Sequence, residues 1–152
     1  MTGATIHASA VLVGARAALI RGPAASGKSR LALALLDAAG AGLLPFARLV
    51  ADDRAHVDAA NGRLLVRPPD QLKGLIEVRG LGIRRVAFEP AAIVGWVVDL
   101  AAPDADRLPQ PEAETTVISG LTLTRLAVAA GAEPLPLVLA ALRTNLPPTG
   151  VG

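Results

Sequence analysis

The run Gly22-Pro23-Ala24-Ala25-Ser26-Gly27-Lys28-Ser29 fits the pattern G-x-x-x-x-G-K-[ST] in full. That pattern has physical meaning between a strand and a helix, where small residues let the backbone curl until its N–H groups surround phosphate oxygens. A helix beginning near Lys28 adds the positive end of its dipole and its unpaired donors. Lys28 can then reach the β- and γ-phosphates of a nucleotide, and Ser29 can offer its hydroxyl to Mg²⁺. All eight residues, Gly22, Pro23, Ala24, Ala25, Ser26, Gly27, Lys28 and Ser29, are candidate nucleotide ligands. The loop points to nucleotide triphosphate binding and leaves open what is done with the phosphate.

Two carboxylates follow one helix later. Leu49-Val50-Ala51 is apolar and delivers Asp52 and Asp53 to a strand end. One such acid can orient a metal directly or through water, and the other can accept a proton from an incoming hydroxyl. The bland alternative is a solvated, turn-forming Asp-Asp pair. Further on, Glu77 and Arg79 stand two apart on an expected strand and share a face. Glu77 can complete a Mg²⁺ shell and Arg79 can neutralise phosphate charge, or the two form a salt pair on a wet face. His7 is a weaker candidate by spacing alone, and His56 reads as structural.

The elements that must position these groups are legible in outline. Residues 6–13 and Arg16–Arg21 read as a strand pair turned at Gly14-Ala15. Residues 28–39 read as a helix with Leu31, Leu35 and Leu36 on one face, stopped by Gly40 and Gly42. Ala47–Ala51 is a short buried strand. Asn61-Gly62 is a strong hairpin turn between His56-Val57 and Leu64-Leu65-Val66. Strands are also expected at 74–78 and 94–100, an exposed loop at 101–114, and a helix at 133–144 with Pro134 and Pro136 in its first turn. The tail of about 145–152 is expected to be flexible. The chain is therefore an α/β protein in which strand outweighs helix.

Composition excludes several classes. The 152 residues suit one domain, and 52% hydrophobic content supplies a core. No cysteine is present, which removes disulfides, thiolate metal sites and cysteine nucleophiles. Aromatics are 2% (Phe46, Phe88, Trp96), too few for the stacking platforms of single-strand nucleic-acid binders. Net charge is +2 and the basic residues are scattered, which argues against a nucleic-acid partner. No signal peptide or membrane-spanning run is visible, so a soluble cytoplasmic protein is expected.

Together these motifs resemble the catalytic domain of HPr kinase/phosphorylase. Thr5-Ile6-His7 is similar to that family's histidine ahead of its phosphate loop, and residues 22–29 match the loop. Leu49-Val50-Ala51-Asp52-Asp53 matches its acidic strand end. Ile76-Glu77-Val78-Arg79-Gly80-Leu81-Gly82-Ile83 is similar to its signature stretch, and Asp106-Arg107-Leu108 resembles the segment that carries a catalytic arginine. The resemblance implies a strand-rich fold of the HPr kinase/phosphoenolpyruvate carboxykinase type, with a helix after the phosphate loop and another at the C-terminus. It also implies ATP and Mg²⁺ as cofactors, HPr of the phosphotransferase system as protein partner, and a homohexamer. By that likeness Asp53 is the proton acceptor, His7, Lys28 and Arg107 are active-site residues, and Ser29 and Glu77 bind Mg²⁺ with Asp52 beside them.

The chain is expected to be a short form without the family's separate N-terminal domain. The basic, glycine-containing segment associated with dephosphorylation is replaced by Ile118-Ser119-Gly120-Leu121-Thr122-Leu123-Thr124-Arg125. The kinase direction is thereby favoured over phosphorolysis. Two rivals share the phosphate loop: a small-molecule kinase, for which no long Arg-rich lid is visible, and a nucleotide-sensing module that binds ATP without transfer.

Overall fold

The computed structural model describes residues 4–144; the expected flexible tail lies outside them. Eleven strands and two helices follow one another as β1 (Thr5–Ile6), β2 (Ala8–Val13), β3 (Arg16–Arg21), α1 (Lys28–Gly40), β4 (Ala47–Ala51), β5 (Ala55–Ala60), β6 (Arg63–Arg67), β7 (Leu75–Val78), β8 (Gly82–Arg85), β9 (Ala92–Asp99), β10 (Thr115–Ile118), β11 (Leu121–Ala127) and α2 (Pro134–Arg143). The expected strand over 6–13 is broken at His7, so its first residues pair with β5 while Ala8–Val13 pairs with β3. The sequence reading assigned no strand to β8, β10 or β11.

Nine strands form one sheet in the order β1-β5-β6-β9-β3-β2-β4, with the β10–β11 hairpin joined along β9. At its centre β3, β9 and β11 run parallel, and beside them β2 lies antiparallel to both of its neighbours, β3 and β4. Strands buried on both faces read as continuous apolar runs, which is why β2, β3 and β9 are almost wholly Ala, Val, Leu and Ile. The period of two splits them cleanly between two cores. Val11, Ile20, Leu49 and Val98 face α1, where Leu31, Ala32 and Leu35 meet them together with Val138 of α2. Ala10, Leu19, Val50 and Val97 face the other way and meet Ala55, Leu64 and Val66 from the β5–β6 hairpin.

The small β7–β8 ribbon stands outside this sheet and lies against α1. Parallel strands bring their C-terminal ends to one edge, the usual place for a ligand crevice in α/β sheets. Here that edge collects the 22–29 loop after β3, Leu100 after β9 and Val128 after β11. Backbone bonds from Leu100 N–H to the Arg21 carbonyl (2.8 Å) and from Val128 N–H to the Asp99 carbonyl (2.8 Å) tie the three ends together.

Candidate functional site

The 22–29 loop links β3 to α1 without a side-chain cap on the helix, so the first-turn N–H groups of α1 have no side-chain acceptor. Two glycines explain the curl. A Cβ at Gly22 would stand 2.5 Å from the Ser26 hydroxyl and 3.1 Å from Leu100 Cβ, so only glycine fits against the end of β9. Gly27 has φ 103°, in the region where a side chain is strained. Lys28 is 6% exposed, and its ammonium folds back to donate to the carbonyls of Gly22 (2.9 Å) and Pro23 (3.1 Å). Those carbonyls occupy donor directions that an anion in the loop would take. The Ser26 hydroxyl is buried and among the described residues lacks a hydrogen-bond partner, which leaves its donor for a ligand.

The strand end of β4 brings up the acidic pair. Asp52 is 8% exposed and fully engaged. Its Oδ1 accepts from Ser29 Oγ (2.6 Å) and Ser9 Oγ (2.8 Å), and its Oδ2 accepts from the Glu77 backbone N–H (2.9 Å). One carboxylate therefore joins β2, α1 and β7. Asp53 lies just past the strand, exposed, with φ 68°. A non-glycine residue at such an angle costs of order 1–3 kcal/mol and persists only where its surroundings over-determine it. Here they do: the Asp53 N–H donates to Ser9 Oγ (3.0 Å) and its carbonyl accepts from Ala8 N–H (3.1 Å). The kink also resolves a geometric problem. Consecutive strand residues point to opposite faces, yet Asp52 and Asp53 both line one cavity because the strand ends at Ala51, just before them.

That cavity measures about 750 Å³ and is lined by residues 24–29, Asp52, Asp53, Glu77 and Arg79. It gathers Lys28 and Ser29 of α1, both aspartates after β4 and Glu77 of β7 from three separate stretches of the chain. Arg79 falls in the turn just beyond β7 rather than on the strand, and still reaches the cavity. His7 and Arg107 do not line it. His7 is exposed at the break between β1 and β2, one residue from the Ala8–Asp53 backbone bond; Arg107 is exposed in the loop after β9. Among the described residues no three His, Cys, Asp or Glu side chains are grouped to hold a metal by themselves. Mg²⁺ keeps waters and takes one or two carboxylates plus phosphate oxygens. Ser29 and Asp52, with Glu77 across the cavity, fit that requirement.

Behind the loop a charge network fixes its root. Arg21, the last residue of β3, makes a two-point contact with Asp99 at the end of β9 (2.7 and 2.8 Å). Arg125 of β11 donates to the same carboxylate (2.5 Å) and grips Asp104 with its other nitrogens (2.8 and 3.0 Å). Burial pushes the Asp99 carboxyl up, but the hydrogen bonds and charges of Arg21 and Arg125 outweigh it and hold it below the ordinary aspartate value. Asp104 is likewise lowered, chiefly by its Arg125 hydrogen bond. The sequence reading missed this network and Ser9. Ser9 left one sign, a polar residue inside the apolar run Ala8-Ser9-Ala10-Val11, where burial demands partners.

Residues 2–89, more than half of the chain, match the family described as the HPr serine kinase C-terminal domain. The chain belongs to that family. The HPr(Ser) kinase/phosphatase of Coxiella burnetii has a similar structure, with a TM-score of 0.73 at 28% identity over 92% of this chain and 94% of that one. None of the curated proteins compared with the chain matches it. The expected strand-rich α/β architecture of an HPr kinase domain is thus present, and the family match spans the loop, the acidic pair and Glu77. Among the described residues no helix is long and apolar enough to cross a membrane.

Proposed function

We propose that this HPr kinase domain is an ATP- and Mg²⁺-dependent protein serine kinase that phosphorylates HPr and so regulates the phosphotransferase system in the cytoplasm. The observation that carries the reading is the convergence of Lys28, Ser29, Asp52, Asp53 and Glu77 on one cavity beside a helix N-terminus. Lys28 exchanges its two carbonyl partners for the β- and γ-phosphate oxygens, and the loop N–H groups with the Ser26 hydroxyl hold the rest of the chain of phosphates. Ser29 and Asp52 would hold the metal, with Glu77 completing its shell. When bound, Mg²⁺ neutralises charge that develops on the transferring phosphoryl group.

Among the described residues Asp53 makes no side-chain hydrogen bond, and it is exposed at the cavity, so it is free to receive the proton of the acceptor serine. The serine oxygen bonds to the terminal phosphorus, the bond to the leaving ADP oxygen breaks, and the proton passes to Asp53. Asp52, held by three donors, is occupied with positioning and metal, which separates the roles of the two neighbours. Little covalent chemistry falls to the protein, so most of the acceleration comes from alignment and electrostatics. In this reading Arg79 offsets phosphate charge. His7 and Arg107 would need the acceptor, or movement of the loop after β9, to approach the reacting group.

Incubation with labelled ATP, Mg²⁺ and HPr tests the proposal. Label on a serine of HPr supports it. Label on a small metabolite, or tight binding without turnover in the presence of HPr, overturns it.

A further inference from the structure

One guanidinium holds both ends of the loop between β9 and β10. Arg125 of β11, with its side chain 12% exposed, commits every nitrogen to an acceptor. Its Nε donates to Asp99 (2.5 Å), Nη1 and Nη2 donate to the two oxygens of Asp104 (2.8 and 3.0 Å), and Nη1 also donates to the Ala113 carbonyl (3.0 Å). Asp104 lies near the start of the loop and Ala113 near its end. The residues between them, 105–112, are exposed apart from the half-buried Ala105, and they include Arg107. Local turns close each end, from Ala105 N–H to the Ala102 carbonyl (3.2 Å) and from Ala113 N–H to the Gln110 carbonyl (2.9 Å). Arg107 therefore sits on a surface loop pinched at its base. That base is also the root of the phosphate loop. Asp99 takes Arg125 on one side and Arg21, the residue before Gly22, on the other. Arg21 also reaches the Thr116 hydroxyl at the start of β10 (3.3 Å). One network thus runs from the 22–29 loop to both ends of 104–113. A guanidinium fork on a carboxylate sets direction as well as distance. Surface loops are ordinarily mobile; two anchors on this one limit where its tip can go.

We propose that Arg125 and Asp104 are positioning residues for phosphoryl transfer: their clamp fixes the arc over which the 105–112 loop swings, and so delivers Arg107 to the mouth of the cavity when the acceptor is bound. The inference rests on the kinase reading and on the active-site role that the family resemblance gives Arg107, and it adds the device that places that arginine. Arg107 stands outside the cavity, so the loop has to move. With both ends held it moves as a unit, and less conformational freedom is lost on closing.

Asp104→Ala tests the clamp, because it removes the exposed partner and leaves the Arg125–Asp99 pair in place. At saturating ATP, Mg²⁺ and HPr, kcat should fall about tenfold. ATP affinity should stay within about twofold of the wild-type value, which also shows that the variant folds. Asp104→Glu keeps the carboxylate and should recover part of the loss. A double-mutant cycle with Arg107→Ala separates positioning from a merely structural role. Added to Arg107→Ala, Asp104→Ala should cost less than about twofold more, because the residue it places is already gone. An equal loss of kcat in both backgrounds, transfer by Asp104→Ala at the wild-type rate or faster, or a loss confined to ATP affinity would overturn the clamp while the kinase reading stands. Transfer by Arg107→Ala at the wild-type rate would overturn it as well. Failure of the wild-type chain to phosphorylate HPr would instead overturn the kinase reading, and the clamp with it.

Discussion

Ser29 and Asp52 face each other across 2.6 Å, hydroxyl to carboxylate, although 23 residues and a whole helix separate them in the chain. The same carboxylate takes a second hydroxyl from Ser9 and a backbone N–H from Glu77. Asp52 is therefore the point at which the helix after the loop, the first long strand and the outlying ribbon are held to one another. The cavity is preorganised around it. Lys28 is likewise held in place, by carbonyls of its own loop, before any ligand arrives.

Lys28→Ala removes the one buried ammonium of the site. Nucleotide affinity should fall at least about tenfold, because a charge-assisted contact to phosphate is worth about 1.5–3 kcal/mol. Titration with ATP by calorimetry measures it. Affinity within twofold of the wild-type value would contradict the role given to the ammonium.

Ser9→Ala leaves the Asp53 N–H without its acceptor and takes one donor from Asp52, at a position that is fully buried. An orphaned buried donor costs about 1–3 kcal/mol, which urea unfolding would register. Turnover should fall about tenfold or more while KM for ATP changes little, because the phosphate contacts stay intact and the aspartates lose their fixed geometry. A rise in KM with unchanged turnover would point to binding instead.

Glu77→Gln keeps the backbone bond to Asp52 and removes the negative charge facing the cavity. The Mg²⁺ concentration for half-maximal activity should rise by roughly 10-fold or more. Metal-free nucleotide binding should be unchanged or slightly tighter. An unaltered Mg²⁺ requirement would remove Glu77 from the metal shell.

Acid should loosen the root of the loop. Asp99 has a folded-state pKa below the ordinary aspartate value of 3.8, so its ion pairs stabilise the fold fully above that value. Their contribution is lost as pH falls from there through the lower folded-state pKa. Asp99→Asn removes the negative charge and one of the two acceptor oxygens that Arg21 and Arg125 share, and should cost about 1–3 kcal/mol at pH 7. The stability gap between wild type and variant should then shrink steadily below about pH 4. A gap that is constant from pH 7 to pH 3 would contradict the assignment.

Much of the fold around the candidate site was legible because its signals are local. The 22–29 loop, α1 and the Ala47–Ala51 strand each carry their own pattern of turn, period and apolar run, and Asn61-Gly62 announces its hairpin. What escaped was non-local or half exposed. The Thr-rich strands β10 and β11 turn at Ser119-Gly120, but their outward residues blur the alternation. The parallel pairing of β11 with β9 depends on register between distant segments. The Arg21–Asp99 pair spans 78 positions, and nothing near either residue foretells the other. His7 was read from order along the chain, which cannot say that a strand break would turn it outward.

The most direct measurement is phosphoserine formation on HPr by Asp53→Asn beside the wild-type chain, with ATP affinity measured on the same samples. The amide is nearly the same size and keeps the backbone bonds to Ser9 and Ala8, but it cannot take a proton. Transfer should drop by about 10²-fold or more with ATP affinity within a few-fold. Transfer by the variant at the wild-type rate would contradict the account.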